Sequence, residues 1–137
     1  MTNDSSGYLL DSNIVIAILD NDISAIDIVR RAQSEKKKIF FSTITECEVL
    51  SGIKHHQYLV AEKMFSSKHV INVDSTIARK AASIQSEQRQ KGRKIKTPDV
   101  IIIATALTAN LVLVSRDSDM SFVTNEYGMK LISEKQV

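Results

Sequence analysis

Cysteine is nearly absent. Cys47 stands alone among 137 residues, so no disulfide can close within the chain and no cysteine cluster exists to hold zinc. A lone thiol fits a reducing cytoplasm, and that location is the expectation. Histidine is equally sparse: His55 and His56 are adjacent and His69 is isolated, which gives no pair at ligand spacing. No Gly-rich phosphate loop and no G-x-S-x-G elbow occur. Nucleophilic side-chain catalysis therefore has no good candidate. Aromatics number seven, three Tyr and four Phe, so base stacking would play a minor part in any nucleic-acid recognition.

Other absences bound the architecture. No secretory signal is visible, and Met1–Gly7 reads as a loose polar tail. The longest apolar stretch, Val100 to Val114, is broken by Thr105, Thr108 and Asn110. It is too short to cross a bilayer and reads as a buried helix followed by a buried strand, so no membrane contact is expected. With no internal repeat or Pro/Gly-rich linker, residues 1–137 read as one domain.

The composition that remains is 43% hydrophobic and 25% charged, with a net charge of +2. The basic residues cluster at Arg30-Arg31, Lys36-Lys37-Lys38 and Arg89 to Lys96. Each run alone reads as a solvated face; together they suit a polyanionic partner.

Apolar spacing predicts a regular alternation of elements. Tyr8-Leu9-Leu10 is a short buried strand ending at Asp11. Ser12 to Leu19 carries Ile14, Val15, Ile18 and Leu19 at helical spacing. Ser24 caps a helix to Gln33, with Ile28 and Val29 inward. Lys38–Ser42 is a strand, Thr43 to Ile53 a helix closing near Gly52, and Gln57 to Ser66 another helix. Val70–Val73 is a strand. Asp74 or Ser75 caps a long helix reaching Lys91, stopped by Gly92. Thr97 followed by Pro98 opens a helix through Asn110. Leu111–Val114 is a buried strand, and Met129–Ile132 a final short one. Apolar strands alternating with helices argue for an α/β fold with a parallel sheet covered on both faces.

In such sheets, sites form beyond the carboxyl ends of the strands, and acids follow these strands. Asp11 follows the first. Asp117 follows Leu111–Val114. Asp99 lies in the first turn of the helix that feeds that strand, and Glu46 and Glu48 lie early in the helix after Lys38–Ser42. Each has an ordinary reading: a helix cap, a dipole partner, a turn residue, a solvated acid. Four acids in one place are another matter, because they repel unless a cation neutralises them. Oxygen donors suit Mg²⁺ or Mn²⁺. Divalent metal polarises a phosphoryl oxygen and activates a bound water; two ions about 4 Å apart can serve both ends of an in-line displacement. Apolar spacing alone puts Glu46 on a face with Val49, Leu50 and Ile53, and Glu48 to its side near Gly52.

Four stretches, in this order and spacing, resemble the PIN-domain family of ribonucleases, and within it the VapC-like toxins of toxin–antitoxin pairs. They are Leu9-Leu10-Asp11-Ser12-Asn13-Ile14-Val15, Ser42-Thr43-Ile44-Thr45-Glu46-Cys47-Glu48-Val49-Leu50-Ser51-Gly52, Gly92 to Ala106 around Thr97-Pro98-Asp99, and Leu113-Val114-Ser115-Arg116-Asp117. The resemblance implies a three-layer fold with a mostly parallel five-strand sheet flanked by helices. It implies a metal-dependent endoribonuclease acting through metal-activated water, with Mg²⁺ or Mn²⁺ held by Asp11, Glu48, Asp99 and Asp117. Here Glu48 is selected because Thr45 precedes it by three and Gly52 follows by four. Asp119 is a possible substitute for Asp117. Asn13 and Ser115 are candidates to support the ligands by hydrogen bonds, and Arg93, Lys94, Lys96 and Arg116 to bind RNA phosphates. The resemblance further implies a cognate antitoxin protein and a homodimer.

Two other classes compete. A metal-dependent phosphatase would want a second acid close to Asp11, where Ser12 and Asn13 stand instead. An inactive PIN-like module binding RNA or a partner would have lost acids that this chain retains.

Overall fold

The computed structural model describes residues 7–66 and 69–133. Of the expected loose tail, only Gly7 falls among them, and it opens the first strand; Met1 to Ser6 lie outside the described residues.

The strands are β1 (Gly7–Leu10), β2 (Lys38–Ser42), β3 (Val70–Ile71), β4 (Val112–Ser115) and β5 (Leu131–Ser133). They form one sheet in the order β3-β2-β1-β4-β5, and every pairing is parallel. β1 is central, with Tyr8 opposite Val112, Leu9 opposite Leu113 and Leu10 opposite Val114. Gly7 pairs with Lys38 of β2. A Cβ there would sit 2.2 Å from the Lys38 carbonyl oxygen, so this close approach of two backbones admits only glycine.

The helices are α1 (Ser12–Leu19), α2 (Ile23–Ser34), α3 (Thr43–Gly52), α4 (Tyr58–Phe65), α5 (Ser75–Gln90), α6 (Thr97–Ala109) and α7 (Phe122–Tyr127). Side-chain alternation along the strands sends them into two cores. Tyr8, Leu10, Val112 and Val114 pack with Ile14, Val15, Ile28, Val49, Ala61 and Phe65 from α1 to α4. Leu9 and Leu113 pack with Ile77, Ile84, Ile102, Ile103 and Val123 from α5 to α7. The sheet is thus the middle of three layers. Leu9, Leu10 and Leu113 are wholly buried, each burial contributing about 2–3 kcal/mol. Among the described residues, no helix is long and apolar enough to cross a membrane.

Caps refine the expected boundaries. Asp22, not Ser24, caps α2: its Oδ1 accepts from the Ser24 and Ala25 amides at 3.0 and 3.4 Å. Thr97 sits inside α6, after Lys96 at the cap, because its hydroxyl accepts from Gln85 Nε2 at 3.3 Å instead of capping. Asn110 ends α6 in the left-handed region at φ 55°. The expected strand at Val70–Val73 is shorter, Val70–Ile71. The short helix α7 and the 3₁₀ turn Ser118–Met120 before it were not expected from the sequence.

Candidate functional site

The strand order reverses between β1 and β4, since β2 and β3 lie to one side and β5 to the other. At such a switch point the two outgoing chains diverge and leave a crevice at the carboxyl ends of the strands. Asp11 and Ser115 both stand there. The Asp11 amide continues the ladder, donating to the Val114 carbonyl at 2.9 Å. Its carboxylate is then used twice. Oδ1 accepts from the Ser12 amide at 2.8 Å and so caps α1. Oδ2 accepts from Ser115 Oγ at 2.8 Å.

Ser115 Oγ is fully engaged. It donates to Asp11 and accepts from the Asp117 amide at 3.0 Å and from Asn13 Nδ2 at 3.4 Å. Asn13 Oδ1 in turn accepts from the Arg116 amide at 3.1 Å. One hydroxyl and one carboxamide thereby fix the Ser115–Asp117 corner against the start of α1.

The other acids arrive from different elements. Glu48, on the second turn of α3, accepts a 2.5 Å hydrogen bond from Ser12 Oγ. This tie turns Glu48 toward Asp11, and its charge acts on both Asp11 and Asp99. No corresponding link joins Glu46 to them among the described residues. Asp99 projects from the first turn of α6. Asp117 follows β4 and caps the 3₁₀ turn, accepting from the Asp119 amide at 2.9 Å. Asp99, Asp117 and Asp119 line one cavity of about 680 Å³.

These carboxylates sense one another. Burial pushes the Asp11 carboxyl up to about 6; hydrogen bonds from Ser115 and the Ser12 amide pull it back, and the charges of Asp99 and Glu48 push it further. Asp99 is also raised, by partial burial first and then by Asp117 and Glu48, with Lys96 opposing and Asp119 adding. Among the described residues none of Asp11, Glu48, Asp99 and Asp117 has a lysine or arginine within ion-pair distance. Among those residues no three Asp, Glu, His or Cys side chains converge on one point. The donor set is all oxygen and carries excess negative charge. It fits a hard divalent cation such as Mg²⁺ or Mn²⁺, and does not fit zinc's preference for sulfur and imidazole.

The four expected RNA-binding cations divide. Arg93, Lys94 and Lys96 rim the same cavity. Arg93 is already engaged: it pairs with Glu126, donates to Gln88 Oε1 at 2.7 Å and stacks over the Phe122 ring at 5.4 Å. Arg116 points elsewhere. It donates to Ser24 Oγ at 2.9 Å and pairs with Asp22 at 3.0 Å, and both partners of that pair are largely covered. Sequence reasoning passed over Ser12, Asp22, Gln88 and Glu126. For Ser12 a signal existed, since it directly follows Asp11 in the strand-Asp-Ser-Asn pattern. The others act only through tertiary contacts.

With this geometry in view, the chain matches the PIN domain model over residues 8–125. It is 28% identical over 115 residues to the ribonuclease VapC2 of Haemophilus influenzae, covering 80% of this chain and 86% of that protein. Its fold is similar to a toxin–antitoxin complex from Klebsiella pneumoniae, with a TM-score of 0.74, 25% identity, and 95% of this chain covering 100% of that one. It is also similar to VapBC2 from Rickettsia felis bound to a DNA fragment from its promoter, with a TM-score of 0.72, 20% identity and 95% and 98% coverage. The matched span holds β4, β1 from Tyr8 onward, and the carboxylates Asp11, Glu48, Asp99, Asp117 and Asp119, and by it the chain belongs to the PIN domain family.

Proposed function

We propose that this protein is a divalent-metal-dependent endoribonuclease and the toxin of a toxin–antitoxin pair. The observation that carries this reading is the set of carboxylates from the end of β1, α3, α6 and the end of β4, which influence one another near the switch point and have no ion-pair partner among the described residues. Asp11, Glu48, Asp99 and Asp117 are the residues that would hold Mg²⁺ or Mn²⁺. Asp119 lies beside Asp117 on the cavity wall and is the substitute. A divalent ion bound there supplies Lewis acidity and a water of lowered pKa next to a phosphodiester.

The chain's own residues do the positioning. Ser115 and the Ser12 amide hold the Asp11 carboxylate in one orientation, and Ser12 Oγ holds Glu48 facing it. Asn13 and Ser115 fix the corner from which Asp117 projects. Arg116, held by Asp22 and Ser24, anchors that corner to α2 and takes a structural part; Lys94 and Lys96 are left to meet RNA phosphates. Phosphate neutralisation by these cations offsets the repulsion between the acids and the substrate.

The ribonuclease name of the Haemophilus relative supports RNA as the substrate. The similar Klebsiella toxin–antitoxin complex supports a protein antitoxin as the partner, and RNA cleavage places the activity in the cytoplasm. Purified protein is incubated with single-stranded and structured RNAs, with Mg²⁺ or Mn²⁺ and with EDTA. Internal cleavage that requires metal is the expected result. Metal binding and RNA binding with no cleavage of any RNA would replace this reading with the binding module.

A further inference from the structure

Two cavities meet at the loop between α5 and α6. The larger holds Asp99, Asp117 and Asp119. The smaller, about 200 Å³, lies on the loop's other side and is walled by Gln85, Arg89, Arg93, Lys94 and Ile95. Arg93, Lys94 and Ile95 line both. The loop is tied down at each end. The Arg93 amide donates to the Gln88 carbonyl at 2.8 Å after Gly92 turns the chain at φ 83°. Gln85 Nε2 donates to the Ile95 carbonyl at 2.9 Å and reaches Thr97 Oγ1.

The cations in this region differ in availability. Glu126 takes hydrogen bonds from Gln88, Lys91 and Arg93, which pull its carboxyl down to about 2. Lys91 and Arg93 are thereby held in ion pairs with the same carboxylate, and Phe122 covers a face of Arg93. Arg89 and Lys94 make no ion pair among the described residues and are exposed. Two unpaired cations, Arg89 at the end of α5 and Lys94 on a loop with a tied backbone, therefore line one small cleft, across an ion-paired arginine from the carboxylates.

Building on the ribonuclease reading, we propose that the Gln85–Arg89–Lys94 cleft is a second RNA phosphate subsite. The strand leaves the carboxylate cavity, crosses the 92–96 loop over Arg93 and is gripped by Arg89 and Lys94 several nucleotides from the scissile bond. Arg93 forms the partition between the two cavities rather than the grip.

The test is binding of a fluorescein-labelled 20-nucleotide RNA to full-length protein at several salt concentrations, beside cleavage of that RNA and of a tetranucleotide. Arg89→Ala should weaken 20-mer binding about three- to tenfold and reduce the slope of log K against log [salt] by about 0.7, one single-strand phosphate contact. The KM for the 20-mer should rise while its kcat and tetranucleotide cleavage stay unchanged. Lys80→Ala removes the same charge from the opposite flank of α5 and should do none of this. Arg89→Ala with the affinity and slope of Lys80→Ala would overturn the subsite while leaving the nuclease intact. A wild-type protein with no affinity for RNA would overturn the ribonuclease reading, and this inference with it.

Discussion

Ser115 Oγ donates a 2.8 Å hydrogen bond to Asp11 Oδ2 beyond the ends of β1 and β4, the neighbouring parallel strands between which the strand order reverses. These residues are 104 apart in sequence, yet each directly follows one member of the register pair Leu10 and Val114. The hydroxyl orients a carboxylate that has no ion-pair partner among the described residues. Ser115→Ala should cost about 1.5–3 kcal/mol, the range for a hydrogen bond to a charged group. It should also raise the Asp11 carboxyl above its present value, since the strongest opposing influence is lost. Urea unfolding at pH 7 gives the first quantity. Carbon-13 chemical shifts of Asp11 through a pH titration give the second; an unmoved Asp11 titration would remove the orienting role.

Asp11 is buried at 5% exposure, and its carboxyl is raised from 3.8 to about 6. The folded state therefore favours the protonated form. This contribution to stability is fully present below about pH 4 and is lost as pH rises through about 6, at a cost approaching 3 kcal/mol. Asp11→Asn keeps an oxygen to cap α1 and abolishes the charge. In EDTA it should melt several degrees above wild type at pH 7.5, and about level with it at pH 3.5, below the ordinary carboxyl value. Equal melting temperatures at both pH values would mean that the charge of Asp11 carries no penalty.

The same reasoning fixes the sign of metal linkage. A cation takes Asp11 and Asp99 ionised, so protons compete with it. Mn²⁺ should raise the melting temperature at pH 7.5 and do so progressively less toward pH 5. Its binding near pH 6 should release protons, which calorimetry in buffers of different ionisation enthalpy measures.

Glu48 and Glu46 separate cleanly. Glu48→Gln should reduce Mn²⁺ affinity and RNA cleavage about a hundredfold or more, as loss of a ligand does at least as much as loss of its support. Glu46→Gln should change either by less than about twofold. Both positions are on the surface of α3 and only half-buried, so folding is preserved and cleavage assays report the site alone.

Arg116 is a test of the anchored corner. Its guanidinium spans to Asp22 and Ser24 on α2, and Arg116→Ala leaves Asp22 in a half-covered position without its partner. Chemical denaturation should show a loss of about 1–2 kcal/mol, with the salt dependence of RNA binding unchanged. A reduced salt slope would instead place Arg116 on the RNA.

Much of this was legible in the residues. The apolar strands Leu9-Leu10 and Leu111–Val114 announced a covered parallel sheet, and Asp11 and Asp117 at their ends put acids at its carboxyl edge. Gly92 as a stop followed from backbone preference. Glu48 was different. Apolar spacing favoured Glu46, because α3 buries only Thr45 and Val49 fully and offers no broad stripe to read. The choice came from the family pattern, and the contact that orients Glu48 comes from Ser12, 36 residues away. Arg93 and Arg116 looked alike as free cations in the sequence. What distinguishes them from Lys94 is pairing with Glu126 and Asp22, and long-range pairing leaves no local signature. Helix α7 was hidden for a related reason: six residues with no side-chain cap are held by the burial of Phe122 and Val123 rather than by propensity.

The most direct test is RNA cleavage by Asp99→Asn beside wild type, both folded by circular dichroism, in Mn²⁺ and in EDTA. Asp99 reaches the cavity from α6 and makes no hydrogen bond among the described residues, so its loss removes charge without removing a structural tie. Wild-type cleavage that vanishes in EDTA and falls at least about a hundredfold in the variant is the predicted result. Cleavage by the variant at the wild-type rate, or cleavage that persists in EDTA, would contradict a metal-holding carboxylate site.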